Sequence, residues 1–242
     1  MRQRMLGVAG TTVILLASAC SPAPAPVTVE PAQPTSAPAT ATQGVVPTSG
    51  DAPPATAVEA GVEIVFRIVP GQSQARFLVD EVLAGSPNTV VGVTSDVSGE
   101  IRGDFGSPQA VVVGPIQVDL STLATDSGLR NRAIRDAILQ TGIEANRFAV
   151  FQVTGIEGLP AEVALGTAYA LSLTGDLTIH GVTQFVTFAA EVTPISEARL
   201  EGSASASLDY RDFDISILRL PPQVASVGDV VTLEIDFVAE AG

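Results

Sequence analysis

Near the C-terminus, apolar Val231, Leu233, Ile235 and Phe237 alternate with polar Thr232, Glu234 and Asp236. A period of two sends successive side chains to opposite faces of a strand, so the run predicts one apolar face and one wet face. The same alternation carries Leu171, Leu173, Leu177 and Ile179 against Ser172, Thr174, Asp176 and Thr178. After His180-Gly181 it resumes with Val186, Phe188, Ala190 and Val192, which predicts a hairpin turning at that dipeptide. Leu200, Gly202, Ala204, Ala206, Leu208 and Tyr210 form another one-sided row. Ala75, Phe77 and Val79 form a fourth. A fifth holds Val111 and Val113 and extends toward Ile116, Val118 and Leu120. Shorter runs lie at Glu63–Val69, Val97–Phe105 and Arg147–Val153.

One segment breaks the pattern. Between Leu129 and Leu139, apolar Ala133, Ile134, Ala137, Ile138 and Leu139 recur at helical spacing, with Arg130, Arg132 and Arg135 between them. Asp126 or Ser127 is placed to cap its start, and Gly142 to end it. Eight or more short strands with one short helix predict an all-β domain, an antiparallel barrel or a sandwich. The row Gly202, Ala204, Ala206 favours a barrel with space inside, because small inward side chains leave a lumen. The competing explanation is that these positions make room for a bulky neighbour such as Phe188.

The chain before residue 61 has a different character. Arg2 and Arg4 precede an apolar stretch from Met5 to Leu16, too short to span a bilayer at ~20 residues. Ala17, Ser18 and Ala19 then lead to Cys20, the one cysteine of the chain. The arrangement resembles a bacterial lipoprotein signal, in which that cysteine is lipidated after cleavage. Residues 21–60 hold nine of the seventeen prolines among Ala, Thr, Ser, Val and Gly, with no aromatic residue. Such a composition cannot offset its ordering entropy by burial and predicts an extended tether. The expected organisation is a signal at 1–20, a tether at 21–60 and one domain at 61–242.

Composition narrows the chemistry. The net charge is −14, and all twelve basic residues are Arg. A chain so acidic lacks the positive footprint of a nucleic-acid binder. One Cys and one His exclude a disulfide framework and every paired His or Cys metal motif. No cofactor is implied. The absence of Trp argues against a sugar- or base-stacking surface. His180 reads better as a turn residue beside Gly181 than as a general base or ligand. With no partner for it, neither a catalytic triad nor a zinc site can be assembled. Asp176 and Asp212 read as turn caps or partners of Arg211 rather than as a catalytic pair.

The string Leu173-Thr174-Gly175-Asp176-Leu177-Thr178-Ile179-His180-Gly181-Val182-Thr183, followed by Val186-Thr187-Phe188, resembles the signature of the YceI-like family of polyisoprenoid-binding proteins. Other stretches agree in order: Phe77, then Gly99-Glu100-Ile101, then Val118-Asp119-Leu120-Ser121-Thr122-Leu123. Thr125-Asp126-Ser127 with Arg130-Asn131-Arg132 follows, and Tyr210-Arg211-Asp212-Phe213 comes later. The likeness spans nearly all of Phe66–Ala239. It departs around the helix, where Arg130-Asn131 and Gly142-Ile143-Glu144 replace the family's usual Arg-Asp and aromatic-rich steps. The resemblance implies a lipocalin-like antiparallel barrel, one short helix closing an end, and a long apolar guest such as a polyisoprenoid or prenylated quinone.

On that expectation the lumen candidates are Phe66, Phe77, Val79, Val111, Val113, Phe148, Leu173, Leu177, Phe188, Ala204, Ala206, Leu208 and Phe237. Arg130, Arg132 and Arg135 are head-group candidates, since Arg matches phosphate geometry. The competing reading makes them a solvated helix face balanced by Asp126 and Asp136. Three function classes stay open: a lipid-anchored binding protein, exported and membrane-attached through Cys20; a stalked β-sandwich that docks a protein; and an enzyme acting on a lipid or quinone.

Overall fold

The computed structural model describes residues 62–242, so the expected signal, Cys20 and tether lie outside the described residues. Twelve strands make one antiparallel sheet: β1 (Ile64–Ile68), β2 (Gln74–Leu83), β3 (Ser86–Thr94), β4 (Val97–Ser98), β5 (Glu100–Gly103), β6 (Val112–Val113), β7 (Ile116–Asp119), β8 (Phe148–Glu157), β9 (Tyr169–Ile179), β10 (Val182–Ser196), β11 (Arg199–Asp209) and β12 (Val224–Ala241). From β7 to β12 each strand pairs with the next, β12 pairs β2, and β2 pairs β3. β4 continues the course of β3 and pairs β7. Bonds from Val93 N to Ala124 O (2.8 Å) and from Asp119 N to Asp96 O (3.0 Å) join the same seam. The pairing thus returns to its start, and the sheet is a barrel without an open edge at this point.

β12 is the longest strand. One edge pairs β11 along most of its length; the other pairs β2 from Val224 to Asp236 and β1 from Ala239 to Ala241. At the changeover, buried Ser73 accepts from Val238 N (3.0 Å) and donates to Val238 O (3.3 Å). The side chain thereby gives Val238 N an acceptor at the strand switch, while Val238 O also accepts from Val69 N (2.8 Å). β1, β5 and β6 extend the sheet over this end.

The expected hairpin forms. His180 and Gly181 have φ of 54° and 76°, as a two-residue loop between twisted strands requires. The rows around β2, β11 and β12 also form. In β8 the register shifts between Val153 and Gly155, and the extra residue keeps Ile156 on the face that Ala149, Phe151 and Val153 share.

Several expectations change. β3 has no counterpart in the alternation reading. Its inward row is Asn88, Val90, Gly92 and Thr94, three of the four polar or small: Gly92 lies beneath the Phe77 ring, Thr94 bonds Thr122 (2.6 Å) and Asn88 bonds Glu81 (2.8 Å). The run Val97–Phe105 divides at Gly99, where a Cβ would meet the Ile116 side chain at 2.6 Å. The fifth run divides at Gly114-Pro115. The helix starts as expected, with Ser127 Oγ accepting from Arg130 N (3.4 Å), and α1 spans Gly128–Arg132. It then widens into a π-helical stretch, Ala133–Ile138, marked by the five-residue step from Leu139 N to Ile134 O (2.8 Å). It ends before Gly142, at Gln140, whose φ is 52°. A second helical turn, α2 (Glu144–Arg147), was not expected.

Candidate functional site

The barrel encloses a cavity of about 630 Å³, within the ~300–1,000 Å³ typical of ligand pockets. Alternation builds its wall. β2 contributes Ala75, Phe77, Val79, Glu81 and Leu83, and β12 contributes Val231, Leu233, Ile235 and Phe237. Leu171, Leu173, Leu177 and Ile179 come from β9, and Phe151 from β8 meets Phe188 from β10 with ring centroids 4.8 Å apart. At the far end Phe66 packs edge-on against Phe105 at 6.1 Å. The aromatic and aliphatic lining has few polar groups, which suits a hydrocarbon guest rather than a reacting polar one.

Of the lumen candidates, Phe66, Phe77, Val79, Val111, Val113, Leu173, Leu177, Phe188, Ala204, Leu208 and Phe237 line this cavity. Two do not. Phe148 opposes Asp119 in the β7–β8 ladder, one step out of phase with the lining pair Ala149 and Val118, so it lies on the outer face under the Arg147 guanidinium (5.0 Å). Ala206 is buried within the core cluster and does not reach the cavity surface. The row of small residues has a mixed role. Ala204 lines the lumen, whereas the space above Gly202 is taken by the Phe237 ring, 2.8 Å from where a Cβ would stand.

The helical arginines separate. Arg130 reaches the cavity, where it bonds Asp126 and buried Glu81 (3.2 Å). Arg132 and Arg135 do not line it; Arg135 donates instead to Ser121 O (3.3 Å). Glu81 also accepts from Asn88 Nδ2 (2.8 Å), so two donors share its Oε1. The alternating row Ala75, Phe77, Val79 continues in β2 to Glu81 and Leu83. The same period places a carboxylate in an apolar row, the signal that finds Glu81.

The motif around Asp119 is a clamp outside the lumen. Its carboxylate accepts from Ser121 N (2.9 Å), from Ser121 Oγ and from Arg147 Nε (2.9 Å) and Nη2 (2.6 Å). Burial pushes this carboxyl up, but the bonds from Arg147 and Ser121 outweigh it and hold it below the usual range. Asn131 Oδ1 similarly receives Thr125 N (2.6 Å) and Thr125 Oγ1 (2.7 Å), tying the loop to α1. At the Tyr210–Phe213 turn, Arg211 pairs with Asp209 and Asp229 rather than with Asp176 or Asp212. The Arg211 bonds lower the Asp209 carboxyl to about 2. Tyr210, which lines the cavity, has its hydroxyl pKa raised by burial and then by Asp229. Phe213, 1% exposed, roots this turn in the core.

His180 sits at its hairpin tip and outside the cavity lining, with both ring nitrogens buried and without a hydrogen-bond partner. Among the described residues, no group of three or more His, Cys, Asp or Glu is placed to hold a metal ion, and no helix is long and apolar enough to cross a membrane.

The fold has solved counterparts. A polyisoprenoid binding domain from Saccharophagus degradans, implicated in plant cell wall breakdown, superposes with a TM-score of 0.60 at 17% identity, over 74% of this chain and 99% of that one. BcnA of Burkholderia cenocepacia superposes with a TM-score of 0.53 at 16% identity, over 71% of this chain and 98% of that one. At these identities the likeness speaks for the fold. No curated protein matches the chain. The model of the YceI-like domain matches residues 66–239, from Phe66 in β1 to near the end of β12, and the chain belongs to the YceI-like family.

Proposed function

We propose that this protein is an exported, lipid-anchored binding protein that holds a long isoprenoid-type chain, a polyisoprenoid or prenylated quinone, inside its barrel. One observation carries the reading: a closed antiparallel wall surrounds about 630 Å³ of almost wholly apolar space. Each methylene moved from water into such a lumen contributes about 0.8 kcal/mol, so a chain of many carbons binds without any reacting group. Association entropy offsets part of that sum. The similar domain from Saccharophagus degradans is described as polyisoprenoid binding, which supports the same class of guest here. A binding role without catalysis fits a lumen whose internal ion pair, Arg130 with Glu81, has its charges already engaged with each other. The solid interior required by a stalked sandwich is absent from the described barrel.

The location follows from the signal-like segment ending at Cys20. Acyl groups on that cysteine would hold the chain at a membrane, since two or more chains exceed the marginal affinity of one. The decisive experiment is mass spectrometry of an organic extract of protein purified from a bacterial host. An isoprenoid-type lipid near one per chain is expected. An empty extract, together with no uptake of an added polyprenyl probe, overturns the reading. Radiolabelled palmitate should enter the chain and be lost in Cys20→Ala; label retained in that variant would refute the anchor.

A further inference from the structure

Six cavity-lining residues are exposed: Leu129, Ala133, Arg219, Leu220, Pro221 and Gln223. They fall in two segments, the α1 region and the loop after Phe213. Every other lining residue is buried or half-buried, those around Phe105 included. The cavity therefore meets solvent between α1 and this loop. Two bonds set the two segments on either side of the end of β2: Arg130 with Glu81, and Ala84 N with Gln223 O (2.7 Å).

Two features coincide at this opening. Leu218 is 88% exposed and Leu129 is 79% exposed, among the most exposed large apolar side chains of the described residues. Leu129 also belongs to the cavity lining, so the apolar surface runs unbroken from lumen to rim. The second feature is charge. Seven of the ten arginines in the described residues have a carboxylate within ion-pair distance. The three without one are Arg132, Arg135 and Arg219, and all three stand on the two segments that flank the opening. In a chain of net charge −14, uncompensated positive charge is thus gathered at the lumen entrance beside exposed leucines.

We propose that this rim docks on a lipid bilayer, with Leu129 and Leu218 seated at the acyl boundary and Arg132 and Arg219 meeting lipid phosphates. A hydrocarbon chain then passes between bilayer and lumen without crossing water. Exposed apolar groups flanked by long cationic ones are the combination that interfacial binding uses. Asp136 and Asp214 lie on the same segments, so apolar seating is the larger contribution and phosphate attraction the smaller. The inference rests on the lumen holding such a chain and names where that chain enters.

The test uses the chain from residue 21 onward, which lacks Cys20 and any acyl group but keeps the complete barrel and both core clusters. The protein contains no Trp. Single substitutions L218W and L129W therefore report on the rim, and V112W, at a 58% exposed position beside the Phe105 end, reports on the opposite side. With vesicles of phosphatidylcholine and a minority of phosphatidylglycerol carrying brominated acyl chains, L218W and L129W should be quenched and blue-shifted and V112W unaffected. The double variant L129S/L218S should weaken vesicle binding by at least about tenfold. R132Q/R219Q should weaken it about threefold, and only when the anionic lipid is present. All four positions are exposed, so the melting curves should stay unchanged. No quenching at either rim position, or equal quenching at V112W, overturns the inference. Lipid in the organic extract with no docking removes this inference alone; docking with an empty extract removes the reading of the guest.

Discussion

The two ends of the barrel are closed by different physics. At the Phe105 end, Phe66 and Ile68 of β1 join Val97 of β4, Leu200 of β11 and Ala239 of β12 in a dry cluster, all at most 7% exposed. At the α1 end, Leu120, Leu123, Phe213 and Ile215 make a buried base, and the widened helix and loop above it are held to the barrel by polar ties as well: Asp119 with Arg147, Asn131 with Thr125, and Glu81 with Arg130. A dry plug comes apart only by exposing its whole apolar area. The polar ties at the rim exchange their bonds for water at small net cost. The difference shows that a single sheet can combine a fixed floor with a yielding entrance, by letting strands make one and side-chain hydrogen bonds the other.

The largest test of this contrast is Phe66→Ala in the floor. It should cost about 3–5 kcal/mol in denaturant unfolding, whereas Leu129→Ala at the rim should stay within about 0.5 kcal/mol. Equal losses would erase the distinction. Next comes the buried pair. Arg130→Leu leaves the Glu81 carboxylate with Asn88 alone and should cost about 3 kcal/mol. Adding Glu81→Leu should recover most of that loss, and a double variant as unstable as the single one would show that the pair contributes packing rather than charge compensation.

Asp119→Asn should cost about 2 kcal/mol, because Arg147 and Ser121 lose a charged acceptor on a side chain only 3% exposed. The same group sets a pH dependence. Its folded pKa lies below the unfolded value of about 3.9, so its contribution is complete above that value and is lost as pH falls through the folded pKa. Wild-type stability should therefore decline more steeply than that of Asp119→Asn on acidification below about pH 4. Parallel curves would remove Asp119 from the account. The smallest effect is kinetic: backbone amides of Gly128–Ile138 should exchange faster than those at the centre of β12, measured by hydrogen exchange at neutral pH.

Much of the wall was legible because its physics is local. Where apolar and polar residues alternate without interruption, as along β9, β11 and β12, the period identifies both strand and inward face. Legibility failed where one element answers to another. β3 escapes the alternation argument because Gly92 is small to fit Phe77 and Thr94 is polar to meet Thr122. Phe148 was misplaced because the run from Arg147 to Val153 does not reveal its phase; the ladder with Asp119 sets it. The three helical arginines look equivalent in sequence, yet Arg130 alone meets Glu81, from a strand 49 residues away. Glu81 itself was within reach of the alternation argument. The entrance was not, since exposed cavity lining is a property of two segments that meet in space.

The glycine facing Phe77 reaches beyond its own strand. Because Gly92 has no Cβ, the aromatic ring lies flush with the wall instead of projecting inward. A methyl group there would tip the ring toward the axis and shorten the hollow. The length of guest such a vessel accepts can thus be reset from a position that never touches the guest.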